Sequence, residues 1–184
     1  MEAPSERYRD LARRFRALTR APEDGAFEPA TAPEIVAAEA ALGCRLPTSY
    51  RWFQLEFGSC PRGPLDVYTV TRTPDGVLDI VEINQRERED DPYPPLPPHL
   101  IAFSDTGGGD LCCFDTSATA GGECPVVWWD HEGDASQRPE PRAPSFLDWL
   151  DGELTEIAAE RPGSLLDDLG HVYIQWMREW WRRG

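Results

Sequence analysis

The chain contains no lysine, and only three histidines and two methionines stand among its 184 residues. The missing lysine points to no function by itself, but scarce histidine leaves few groups for general-base or metal chemistry near neutral pH. No run of about 18 apolar residues occurs, so no membrane-spanning helix is expected. The start, Met1-Glu2-Ala3-Pro4-Ser5-Glu6-Arg7, leads into charged sequence instead of an apolar signal core, and the expected compartment is the cytoplasm. There is no Gly-x-Ser-x-Gly elbow and no phosphate-binding glycine loop. The five cysteines, Cys44, Cys60, Cys112, Cys113 and Cys124, are odd in number and include no Cys-x-x-Cys pair of the kind zinc sites use. Cys112 and Cys113 are neighbours on one expected strand, where side chains alternate, so they cannot ligate one ion together. All five read as reduced, mostly buried thiols, and neither a metal nor a cofactor is expected.

What the chain has in abundance is negative charge. Eighteen arginines meet 33 carboxylates, for a net of −15. Residues 1–20 carry six arginines and three acids, residues 21–177 nine arginines and 29 acids, and the last seven residues three arginines and one glutamate. A body at −20 opposes nucleic acid, whose phosphates need basic neutralisation. It suits a basic protein partner, because opposite fields speed encounter. The same charge also serves a solvated, soluble surface. With 40% apolar and 10% aromatic residues the chain is a folding one, and its length suffices for one domain (1–184) with a substantial core.

Hydrophobic spacing places helices at both ends. Tyr8, Leu11, Ala12, Phe15 and Leu18 form the stripe of a helix over 5–20, with Ser5 at its N-cap. Thr31 and Glu34 make a capping box for a second helix, which buries Ile35, Ala38 and Leu42 and stops at Gly43. Leu46-Pro47 opens a third, with Tyr50, Phe53 and Phe57 on one face and Gly58 at its end. Pro64 to Val70 alternates as a strand, and Asp75 to Glu89 reads as a helix started by Thr73-Pro74. Asp90 to Pro98 is a proline-rich connector through which no helix continues. Three strands, 100–104, 110–115 and 125–129, precede a loop over 133–144 that holds Pro139, Pro141 and Pro144. Ser145 opens a helix lined by Phe146, Trp149, Leu150, Leu154 and Ile157, and a last helix over 164–183 carries Trp176, Trp180 and Trp181. The order helices, strands, helices indicates an α+β fold whose central sheet is antiparallel or mixed and is flanked by N-terminal and C-terminal helices.

Three segments carry a pattern. The first is Ile35-x-x-x-Glu39-x-x-Leu42-Gly43-x-x-Leu46-Pro47-x-x-Tyr50-x-x-Phe53, running on through Phe57-Gly58. The second is Leu100-Ile-Ala-Phe-x-x-x-Gly107-Gly108-Gly109-Asp110-x-x-x-Phe114-Asp115. The third is Pro125-Val-Val-x-x-x-His131-Glu132, followed by Ser145-Phe-Leu-Asp-Trp-Leu150. In this order the chain resembles the SUKH superfamily, in its cell-wall-assembly-regulator-like (SMI/KNR type) branch, over about residues 30–155. One position departs from the family's usual pattern, with Ser59 following Gly58 where asparagine is common near that glycine. The resemblance implies an α+β domain with a curved sheet. In bacteria it implies an immunity protein that binds and neutralises a cognate toxin of a polymorphic, contact-delivered system, often a nuclease. Fungal relatives are regulatory scaffolds. The residues that match, Glu39, Gly43, Pro47, Tyr50, Gly58, Gly107, Gly108, Gly109 and Pro125 among them, are structural in the family and none is catalytic. The helix over 164–183 lies beyond the match.

The densest polar group is Asp105, Asp110, Asp130, His131 and Glu132, near the expected strand ends. Carboxylates with one histidine are metal-ligand types, but His99 and His171 lie elsewhere, and loop carboxylates are mostly turn formers. Cys60 or Cys113 as a nucleophile would need a placed histidine. Trp128 and Trp129 alternate across a strand, so one faces the core and the other can anchor an interface. The expected function is therefore non-enzymatic: an acidic, protein-binding chain that occludes a basic toxin domain through Asp105, Asp110, Asp130 and Glu132 with Trp128 or Trp129. A monomer is the favoured state, and neither nucleic acid nor a membrane is a direct partner. A regulatory scaffold is the competing reading, and a small metal-dependent hydrolase the third.

Overall fold

A computed structural model describes residues 5–18, 28–58, 65–71, 79–89, 94–134 and 136–160. Helices α1 (Glu6–Leu18), α2 (Ala32–Leu42), α3 (Thr48–Glu56), α4 (Ile80–Arg86) and α5 (Phe146–Glu160) pack around strands β1 (Leu100–Asp105), β2 (Leu111–Asp115), β3 (Val126–Trp129) and β4 (Glu140–Ala143). The four strands form one antiparallel sheet in the order β1-β2-β3-β4. The chain is thus α+β, with helices at both ends of the sequence and the three expected strands in one sheet. The expected helix over 164–183, with Trp176, Trp180 and Trp181, lies outside the described residues.

Three elements differ from the sequence reading. Of the expected strand over 64–70, Pro64 lies outside the described residues and 65–70 are an irregular segment that makes single bridges, Val67 to Ser104 and Thr69 to Asp79. A ladder cannot run on beside β1, because β1 shifts register between Ala102 and Ser104 and a side chain takes its edge. The buried Asn84 amide donates to the Ala102 carbonyl at 2.8 Å and accepts from the Ala102 N–H at 2.9 Å, as a neighbouring strand would. The helix read from Asp75 begins at Ile80, where Asp79 accepts from the N–H groups of Val81 and Glu82; Thr73 to Gly76, with Val77 and Leu78, lie outside the described residues. Lastly, the loop over 133–144 contains strand β4. Its prolines mask it in sequence, but Pro141 sits on an edge strand, where a missing N–H donor is tolerated.

The core lies between the sheet and helices α3 and α5. Tyr50, Phe53, Phe103, Phe114 and Phe146 are each fully buried. Phe103 stacks on Phe114 with centroids 4.1 Å apart, and Phe146 meets Tyr50 edge-on at 5.3 Å and Phe53 at 5.4 Å. Phe15 of α1 closes this core against Phe53 and Phe57. The arginines of α1 dock on acids of α5: Arg7 lies 2.6 Å from Asp148, and Arg14 pairs with Asp151 while donating to the Thr155 hydroxyl at 2.8 Å. Arg16 likewise pairs with Glu56 of α3, so three arginines of the basic start are answered by acids of other elements.

Family-pattern residues hold the turns. Gly43 ends α2 with a left-handed backbone. The Glu39 carboxylate accepts from the Leu46 N–H at 3.0 Å with Arg51 at 3.7 Å, and the buried Pro47 precedes α3. The Tyr50 hydroxyl donates to the Tyr68 carbonyl at 2.5 Å. Gly58 has φ +55° and forms a parallel bridge with Glu28, and a Cβ there would stand 1.9 Å from the Glu28 carbonyl oxygen. The Pro125 carbonyl accepts from the Asp115 N–H at 2.9 Å.

Candidate binding cleft

The register of β2 and β3 sets Leu111 opposite Trp129 and Cys112 opposite Trp128. One residue further, Asp110 and Asp130 leave the ladder side by side, on the sheet face that Cys112 and Trp128 share. Nearer the middle of the sheet that face is covered by α5, whose Phe146 meets Phe114. Beyond α5 it opens into a cleft of about 820 Å³, walled by the segment after Asp130 and by β4. Asp110, Trp128, Asp130 and Glu132 all line this cleft, so four of the six candidate surface residues come together.

The other two do not. Trp129 is 6% exposed and belongs to the core, so it is not a surface anchor; alternation gives that position to the half-buried Trp128. Asp105 does not line the cleft. Its carboxylate accepts from the Gly107 N–H at 2.7 Å and from the Tyr68 hydroxyl at 3.1 Å, which fixes the glycine turn between β1 and β2. Burial, and then the Asp105 charge, push the Tyr68 phenol well up.

His131 is held by Asp110. Its Nδ1 is 3.0 Å from Asp110 Oδ1, and its backbone N–H donates to the same oxygen at 3.3 Å. The ring lies against the glycine turn: Gly109 has φ +99°, and a Cβ there would be 2.8 Å from the imidazole. Gly108 lines the cleft beside it. Asp130 accepts from the Glu132 N–H at 2.8 Å, and its carbonyl takes the Gln137 side chain, so the turn is pinned at both ends. At Asp134, hydrogen bonds from Ser136 hold the carboxyl below the usual range. Asp110, Asp130 and His131 bring one ligand atom each within 4.8 Å of one another. These are donor types for a divalent cation, and they are also what a solvated acidic rim presents.

Sequence reasoning missed the basic component. The Arg142 guanidinium lies over the Trp128 ring, 4.0 Å from its centroid. The contact depends on β4 pairing with β3, where Trp128 stands opposite Glu140. A Glu-Pro-Arg-Ala stretch between prolines carries no strand signal from which this could be read. The thiols near the site are poor nucleophiles as they stand. Burial pushes Cys112 up to about 11 and Cys113 well above the ordinary thiol range, while Cys60 lies outside the described residues. Among the described residues no helix is long and apolar enough to cross a membrane.

No curated protein matches the chain. Among solved structures it is similar to a protein from Pseudomonas syringae pv. tomato, with a TM-score of 0.58 at 19% identity, over 78% of this chain and 95% of that one. At that identity the likeness shows a shared fold. The SMI1 / KNR4 family (SUKH-1) matches residues 29–152, which span α2 to the first half of α5 with the whole sheet and the cleft. The chain belongs to the SMI1 / KNR4 (SUKH-1) family, which is known for immunity proteins.

Proposed function

We propose that this chain is an immunity protein that neutralises a cognate basic toxin domain by covering it. The observation that carries the reading is the cleft itself. Its lining holds five carboxylates against two arginines, with the half-buried Trp128 among them, in a chain whose net charge is −15. A lining with an excess of negative charge around an aromatic ring favours binding to a surface of the opposite sign. Bound there, the chain would exclude substrate from the toxin by occlusion, with no bond made or broken. The test is co-production with the toxin domain encoded beside it. Restored growth and a complex that survives purification are the expected results. Toxicity unchanged at equal expression, with no complex at micromolar concentration, would contradict the reading.

A further inference from the structure

We propose that the open end of the α5-side sheet face is a guanidinium-binding cleft, and that its occupant is an arginine side chain on a basic loop of the partner. The proposal rests on the toxin-binding reading for the partner and names the group that is recognised. The Trp128 indole already carries a guanidinium, that of Arg142 at 4.0 Å, so such a cation fits over this ring inside the cleft. Stacking of that kind favours arginine over lysine, whose ammonium is compact and strongly hydrated. Asp110 and Asp130 stand in the same cleft, with ligand atoms within 4.8 Å of each other. Each has one oxygen engaged: Asp110 Oδ1 by His131, and Asp130 Oδ1 by the Glu132 N–H. The other oxygen of each accepts no hydrogen bond among the described residues. Two such acceptors facing one cleft suit the fork of N–H donors that a guanidinium offers. A volume of about 820 Å³ takes a whole side chain with its flanking backbone, far more than a bare ion needs. The excess of lining carboxylates supplies the complementary charge. Arg142 then acts as a resident competitor on the Trp128 ring, which an incoming arginine displaces.

The experiment titrates the ¹⁵N-labelled chain with nona-arginine, and with nona-lysine as the control of equal charge, at about 0.15 M salt where long-range attraction is screened. The readout is the Trp128 indole N–H resonance, assigned with Trp128→Phe. The arginine peptide is expected to shift that resonance saturably and to bind about fivefold tighter than the lysine peptide. Asp130→Asn, and Trp128→Ala followed by the amide resonance of the cleft-lining Gly108, should each weaken it by about tenfold. Because Asp130 is exposed, its variant keeps the test sound if the tryptophan variant unfolds. Arg142→Gln should strengthen binding more than Arg138→Gln, which removes the same charge but not the guanidinium on the ring. Equal affinity for the two peptides, indifference to Asp130→Asn, or equal effects of the two arginine variants would overturn the proposal. So would zinc alone saturating Asp110, Asp130 and His131 and excluding the peptide. The peptides need no toxin, so the two readings fail separately. Peptide binding without toxin capture sinks the proposed function alone, while toxin capture indifferent to Trp128→Ala sinks the guanidinium cleft alone.

Discussion

Phe114 and Trp128 lie on one face of the same sheet, on neighbouring strands, and meet opposite environments. Phe114 is fully buried among Phe103, Tyr50 and Phe146. Trp128 is half-buried, with the Arg142 guanidinium over its ring. The charges divide the same way. On the helix side, Asp148 and Asp151 are answered by Arg7 and Arg14, and Glu123 clamps the start of α3 by accepting from the Ser49 N–H at 2.9 Å and its hydroxyl at 2.5 Å. At the open end the Glu132 side chain is 71% exposed, and among the described residues the Asp130 carboxylate accepts only from the N–H of its own turn. One end of the sheet spends its polar groups on stability, and the other presents them to water. The difference separates what holds this fold from what it offers a partner.

The comparison can be broken by stability measurements in urea. Phe114→Ala removes a ring from the sealed end and should cost about 3–5 kcal/mol, whereas Trp128→Ala should cost about 1 kcal/mol. Equal losses would mean that the open end is core. Gly58→Ala comes next, at about 2 kcal/mol or more, since the left-handed backbone and the approach of Glu28 both oppose a Cβ; a change below about 0.5 kcal/mol would show that the bridge to Glu28 is dispensable.

A smaller effect sharpens the helix-side account. Ser145 accepts from the Asp148 N–H at 3.2 Å and donates to its carboxylate at 2.6 Å. That hydroxyl, and then Arg7, hold the Asp148 carboxyl below its ordinary 3.8. A carboxyl lowered by folding stabilises the fold above its unfolded value, and the contribution is lost as pH falls through the folded one. Ser145→Ala should therefore cost about 1 kcal/mol near neutrality, and the gap to the parent should narrow as pH falls below about 4. A gap that widens on acidification would refute the assignment. The smallest effect is at the rim, where Asp130→Asn should move stability by no more than about 0.5 kcal/mol.

Much of the closed end was legible in the sequence. Helical stripes such as Leu11, Ala12 and Phe15, and strands such as Leu100 to Ser104, declare themselves by period, and Gly43 and Ser145 mark their ends locally. The placing of Asp110 beside Asp130 follows from a hairpin register once the two strands are paired. What was hidden depends on groups far apart in sequence. Arg14 and Asp151 are 137 residues apart, and Ser49 and Glu123 are 74 apart. Asn84 replaces a strand at the β1 edge, so an alternating stretch over 64–70 had no ladder to join. Pro141 concealed β4 and with it the Arg142 contact on Trp128, the part of the cleft that most defines its chemistry.

The central claim is that the open end carries the partner while the sealed end carries the fold. Its most direct test is the association rate of the chain with the neighbouring toxin domain, followed from about 0.01 to about 0.1 M salt, where the screening length falls from about 30 to about 10 Å. The parent is compared with a variant neutralised together at Asp110, Asp130 and Glu132. The account predicts that association slows clearly with salt in the parent, and that the variant is slower at low salt and less steeply dependent on salt across the range. Tight binding whose on-rate ignores both the salt and the three substitutions would contradict it.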